Sequence, residues 1–143
     1  MTNLTAVPAA LLSAIVTIIA VLFYYYTGLR VGAMRGKHKI DAPAMTGHPE
    51  MDRAVRVQMN TLEQLVVFLP LLWLATLYFH ALAWLPAVTG LVWVIGRAIY
   101  MTGYMADPSK RSTGFLIATF ATLVLLVLAI WGIVATWSAV TAS

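Results

Sequence analysis

The sequence predicts an all-α integral membrane protein, a bundle of four antiparallel spans, and three observations carry that reading. The chain of 143 residues is 62% hydrophobic and only 10% charged, with a mean hydropathy of +0.88, too apolar for a water-soluble fold of this size. Four apolar stretches are each long enough to cross a hydrocarbon layer of ~30 Å at 1.5 Å per residue. The basic residues are confined to short segments between those stretches. A net charge of +4 and pI near 9.7 can signal nucleic acid, but scattered interhelical cations fit membrane orientation better and no nucleic-acid partner is expected. The chain has no cysteine, which excludes disulfides, thiolate metal sites and a protein-borne sulfur nucleophile. Any thiol chemistry must use a thiol from outside, and no metal ligand set is expected.

The first span is read from Val7 to Leu29, uncharged throughout. A cleaved signal peptide is the competing reading, but no Lys or Arg precedes the run and its length exceeds a signal core. Arg30 to Glu50, punctuated by Gly32, Gly36, Pro43, Gly47 and Pro49, reads as a polar connection with frayed helix ends. The second helix, residues 51–79, starts after Pro49 with Glu50 and Asp52 complementing its dipole, and Pro70 is expected to kink it. Pro86 opens a third helix, residues 86–105. Asp107-Pro108-Ser109-Lys110-Arg111-Ser112 is a short basic loop, because proline disfavours helical geometry in the residue before it. The fourth helix, residues 113–137, is uncharged and ends near Trp131 and Trp137, which suit an interfacial belt.

All but Arg97 of the nine Lys and Arg residues lie in the connections 30–50 and 106–112 or in adjoining helix turns. Those connections should be cytosolic and both termini should lie on the far side. One membrane domain spanning residues 1–143 is expected, with no internal repeat.

The chemistry concentrates in the second and third helices. Arg53, Arg56, Asn60 and Glu63 follow i, i+3, i+7, i+10 spacing and fall within about 80° on a helix, whereas Gln58 points about 140° from Arg53. Arg97, Tyr100 and Tyr104 share a face of the third helix, and Arg111 follows in the loop. Ionisable groups in a membrane are costly unless paired or facing a polar cavity. Snorkelling arginines, a structural Arg–Glu pair and belt tyrosines are the plain alternatives. Several arginines with few acids otherwise favour an anionic ligand bearing carboxylates, and Asn60 and Gln58 can read amides.

Gly47-His48-Pro49-Glu50 followed by Arg53-Ala54-Val55-Arg56-Val57-Gln58-Met59-Asn60-Thr61-Leu62-Glu63 resembles the second-helix signature of the MAPEG family, membrane-associated proteins of eicosanoid and glutathione metabolism. Gly96-Arg97-Ala98-Ile99-Tyr100-Met101-Thr102-Gly103-Tyr104 with Pro108-Ser109-Lys110-Arg111-Ser112 resembles its third helix and catalytic loop. The resemblance implies a homotrimer of four-helix subunits with glutathione, as co-substrate, between neighbours on the cytosolic side. By position, Arg56, Asn60, Glu63, Tyr100 and Tyr104 contact glutathione, and Arg35 and Gln58 reach a molecule bound mainly by the next subunit. Arg53 and Arg97 are supporting charges, and Arg111 faces the sulfur as the catalytic residue. The segments look closest to the microsomal glutathione transferase branch, which implies conjugation of glutathione to hydrophobic electrophiles and attack on lipid hydroperoxides.

Many relatives place a tyrosine and then a proline just after the glutamate; here Gln64-Leu65-Val66-Val67 follows and proline waits until Pro70. Phe115, Phe120 and Trp131 are candidates to line the acceptor's approach, with lipid contact as the plain reading. A dedicated leukotriene or prostaglandin synthase and a non-catalytic lipid-binding scaffold are the family alternatives, and the scaffold branch lacks the arginine that Arg111 matches. A small multidrug transporter needs an ionisable residue deep in a span, and the first and fourth helices have none. Ala139 to Ser143 carries no retrieval lysines, which leans toward a bacterial inner membrane.

Overall fold

A computed structural model describes residues 8–142. The expected start at Val7 and the terminal Ser143 lie outside the described residues. Four helices, each long and apolar enough to cross a membrane, form the bundle of an integral membrane protein: α1 (Ala9–His38), α2 (Pro49–Tyr78), α3 (Leu85–Ala106) and α4 (Ser112–Thr141). A 3-10 turn, Pro108–Arg111, joins α3 to α4.

Packing reverses the pattern of a soluble protein, with apolar side chains both inside and outside. Leu22, Val66, Leu116 and Val127 are each about 60% exposed or more, as lipid-facing residues are. Inside, α2 packs against all three other helices. Its buried Leu65, Phe68, Leu72 and Ala75 recur at helical spacing on one face, and Phe68 stacks on Trp93 of α3 with centroids 4.0 Å apart. Between α1 and α2 the buried hydroxyls of Ser13 and Thr76 satisfy each other at 2.7 Å, as an apolar interior requires. The α2 helix continues unbroken through Pro70, whose ring is exposed. An outward ring leaves the packing face intact while the helix spans the bilayer.

The helices α3 and α4 approach each other closely at two glycines. A Cβ on Gly96 would stand 2.7 Å from the Ala118 backbone nitrogen, and one on Gly114 would stand 2.5 Å from Tyr100 Cα. Small residues at this crossing let the two backbones meet, the usual device for helix association in lipid. Gly132 plays the same part against the end of α2 at Tyr78 and Phe79.

One expectation is corrected. The first helix does not end near Leu29 but continues to His38, so Arg30, Arg35 and Lys37 stand on the helix and not in a loop. Gly32 and Gly36, read as punctuation, cost helix propensity without breaking the helix, and a Cβ at either would meet nothing. The helix stops at Lys39, in the left-handed conformation (φ 54°, ψ 45°), with Arg35, Lys37 and His38 complementing the dipole in its last turn. At 30 residues, α1 is about 45 Å long and overshoots a ~30 Å hydrocarbon layer by several turns.

The α3 terminus is held from another helix. No basic residue stands in its last turn, and Arg53 of α2 donates from Nη1 to the carbonyls of Met105 (3.1 Å) and Ala106 (3.4 Å). Removing the guanidinium strips a charge-assisted donor from a helix end that needs one. Arg53→Ala is expected to destabilise the bundle by about 1–2 kcal/mol, read as an earlier midpoint in denaturing-detergent titration. An unchanged midpoint would mean that water replaces Arg53 at no cost.

Candidate functional site

Asp107, extended at φ −158° and ψ 125° as Pro108 demands, accepts the Ser109 backbone N–H at 2.8 Å on its side chain. That bond holds the Asp107 carboxyl below the usual carboxylate range, so the cap persists above the unfolded value and is lost only as pH falls through the lowered one. The capped turn is pressed onto α3, where a Cβ on Gly103 would meet the Lys110 carbonyl oxygen at 2.5 Å. Arg111 closes the turn and leads into α4.

There a cavity of about 550 Å³ opens between α2, α3 and the start of α4, lined by Arg56, Asn60, Gln64, Tyr100, Arg111, Ser112, Phe115 and Leu116. Its floor is polar. Asn60 Nδ2 donates to Glu63 Oε2 at 3.3 Å, and Arg56 Nη1 stands 3.9 Å from Glu63 Oε1. The Asn60 carbonyl oxygen is buried with no partner among the described residues. Arg97 lies wholly buried behind the floor, its guanidinium carbon 4.2 Å from the centre of the Tyr100 ring. Its Nη2 donates to Thr61 Oγ1 at 2.8 Å, while Nε and Nη1 have no partner among the described residues. Three guanidinium groups therefore face or underlie this cavity against the one carboxylate of Glu63. A buried, incompletely satisfied arginine is costly, and an anion bound above Tyr100 would offset that cost. The opposite wall, Phe115 and Leu116, is apolar and exposed. A Tyr100–Phe115 contact with centroids 6.5 Å apart joins wall to floor.

The MAPEG family model matches residues 13–131. The chain belongs to the MAPEG family. It is 39% identical over 114 residues to an uncharacterized protein of Synechocystis, covering 80% of this chain and 82% of that one. With microsomal glutathione S-transferase 2 of Homo sapiens it shares 39% identity over 106 residues, 74% of this chain and 71% of the other. With leukotriene C4 synthase of Cavia porcellus it shares 37% over 124 residues, 87% and 81% of the two chains.

Within this MAPEG chain the residues singled out from sequence separate into three groups. Arg56, Asn60, Tyr100 and Arg111 line the cavity, Glu63 touches the first two, and Tyr104 stacks on Tyr100 with centroids 5.6 Å apart. Arg53 and Arg97 are engaged in packing, one with the α3 terminus and the other with Thr61 and Tyr100. Gln58 and Arg35 are elsewhere. Gln58 lines a smaller cavity of about 310 Å³ with Tyr24, Tyr25, Gly28 and Leu29, and Arg35 stands near the end of α1 with Nη1 buried and unpartnered among the described residues.

Sequence reasoning gave no ligand role to Gln64, Ser112 or Leu116. Gln64 follows Asn60 by one turn, so the helical period alone could have placed it beside Asn60. Of the three candidates for the acceptor wall, Phe115 lines this cavity and Phe120 does not. Trp131 lines a separate one of about 560 Å³ near Phe79 and His80, at the other end of the bundle.

Proposed function

We propose that this protein is a membrane-bound glutathione transferase that conjugates glutathione to hydrophobic electrophiles and reduces lipid hydroperoxides with the same thiolate. The observation that carries the reading is the meeting of Arg56, Asn60, Tyr100 and Arg111 on one cavity whose other wall, Phe115 and Leu116, is apolar. Glutathione brings two carboxylates, two peptide groups and a thiol. Arg56 binds a carboxylate, Asn60 and Gln64 read amide groups, and Arg111 faces the sulfur. The microsomal glutathione S-transferase name of a relative at 39% identity supports glutathione as co-substrate.

In conjugation the thiolate attacks the electrophilic carbon, an S–C bond forms, and the leaving group departs with the bonding pair. In peroxide reduction the thiolate attacks the terminal peroxide oxygen, an S–O bond forms as the O–O bond breaks, and the leaving alkoxide takes a proton from water to give the alcohol; a second glutathione converts the sulfenic acid to disulfide and water. We read the working unit as a homotrimer in a bacterial inner membrane, with the Arg111 end cytosolic and both termini opposite. Gln58 and Arg35, which stand away from their own chain's cavity, then reach glutathione held by the neighbour.

A second reading is favoured by the 37% identity to leukotriene C4 synthase, namely a dedicated leukotriene- or prostaglandin-type synthase. The test is glutathione binding to the detergent-solubilised protein, followed by thiolate absorbance, together with turnover of an aryl halide and a lipid hydroperoxide. Binding with turnover of both is expected. Binding with turnover of neither favours the dedicated synthase or the lipid-binding scaffold, and failure to bind glutathione overturns the proposal.

A further inference from the structure

The connection between α1 and α2 brings together a second set of side chains that the cavity does not use. His38 is the last residue of α1, His48 is the N-cap of α2 and Glu50 stands in the first turn of α2. One ligand atom from each lies within 4.8 Å of the others. The two imidazoles stack with centroids 3.5 Å apart and planes 13° from parallel. Glu50 Oε2 accepts from Lys37 Nζ and pairs with His38 Nε2, both at 2.7 Å, while Oε1 has no hydrogen bond among the described residues.

We propose that His38, His48 and Glu50 form a binding site for one divalent transition-metal ion of the Zn²⁺ class, clasping the end of α1 to the start of α2. Two imidazoles and a carboxylate are a borderline donor set that suits this ion, with water completing a tetrahedron. The ion takes the place of the proton shared by His38 and Glu50. With metal–ligand bonds of about 2.0–2.2 Å, the His38–Glu50 separation opens from 2.7 Å to about 3.3 Å, and because an imidazole binds metal in its ring plane, one of the two stacked rings must turn to bring its nitrogen onto the ion. His48 Nδ1 accepts the Glu50 backbone N–H at 3.2 Å, a bond that a metal at that nitrogen would replace. Lys37 is the competitor for Glu50. Metal competes with protons for the imidazole nitrogens, and among the described groups Lys37, Glu50 and the two rings are those that face one another here.

The experiment is calorimetric titration of the untagged full chain in detergent with Zn²⁺, free of glutathione, which chelates the ion. One ion per chain is expected with a micromolar or tighter Kd. His38→Ala, His48→Ala and Glu50→Gln should each weaken binding at least tenfold, Lys37→Ala should tighten it several-fold, and His80→Ala should leave it unchanged. Absence of one-to-one binding, or an unchanged Kd in any one of the three ligand variants, overturns the site. Should a ligand variant fail to fold, X-ray absorption of the wild-type zinc complex decides, since fewer than two imidazole ligands also overturns it.

Discussion

Arg111→Ala is expected to reduce the thiolate absorbance of bound glutathione at neutral pH about 25-fold while leaving glutathione binding largely intact. A cysteine-like thiol of pKa ~8.5 is roughly 3% ionised at pH 7, and lowering that value by about two units raises the fraction to roughly 75%. A guanidinium facing the sulfur can produce such a shift. Turnover should change much less than thiolate content, because nucleophilicity falls about tenfold over the same two units at a Brønsted slope near 0.5. The net loss at neutral pH is then two- to threefold, and the acidic limb of the pH–rate profile moves up by about two units. A loss of turnover beyond tenfold would show that Arg111 also orients the sulfur or stabilises the leaving group. Unchanged thiolate absorbance would remove Arg111 from the sulfur altogether.

Gly114→Ala is expected to be among the most disruptive single-methyl changes in the protein. The new Cβ would lie 2.6 Å from the Gly96 carbonyl oxygen and closer still to the backbone of Tyr100, so no rotamer change can relieve it. The helices must separate, at roughly 3 kcal/mol, the upper end of overpacking costs. Because Tyr100 floors the cavity and Arg111 immediately precedes α4, glutathione conjugation should be lost even in whatever fraction folds. Gly32→Ala is the counterpart. Its Cβ enters open space on a regular helix, and a gain of about 0.5–1 kcal/mol is expected from helix propensity. Denaturing-detergent midpoints for the two variants check both signs, and a neutral Gly114→Ala would mean that the α3–α4 contact is looser than described.

The four spans were legible because bilayer thickness imposes a minimum apolar length and leaves the charges between spans. The Arg56–Asn60 face and the Arg97–Tyr100–Tyr104 stack were legible from helical period alone. Arg53 shows the limit of that geometry. It shares an angular sector with Arg56 and Asn60, but its guanidinium goes to the carbonyls of Met105 and Ala106, an attraction that only the packed α3 terminus creates. The extension of α1 to His38 was missed because two glycines were read as breaks, although each faces open space where only propensity is at stake. Ser112 and Leu116 joined the cavity through the 3-10 turn, which aims the start of α4 at α2 and leaves no periodic trace in sequence.

Under the proposed transferase reading, the polar floor and apolar wall of the cavity would have the two reactants arrive from different phases. A lipophilic acceptor would then reach Phe115 and Leu116 by lateral diffusion, and its effective concentration would be a mole fraction in the surrounding amphiphile and not a molarity in the tube. At a fixed amount of such an acceptor, doubling the detergent should roughly halve the rate below saturation, while the apparent affinity for glutathione stays the same. A water-soluble halide should escape this dilution. The ordering of acceptors by catalytic efficiency in the membrane will therefore follow partition as much as reactivity.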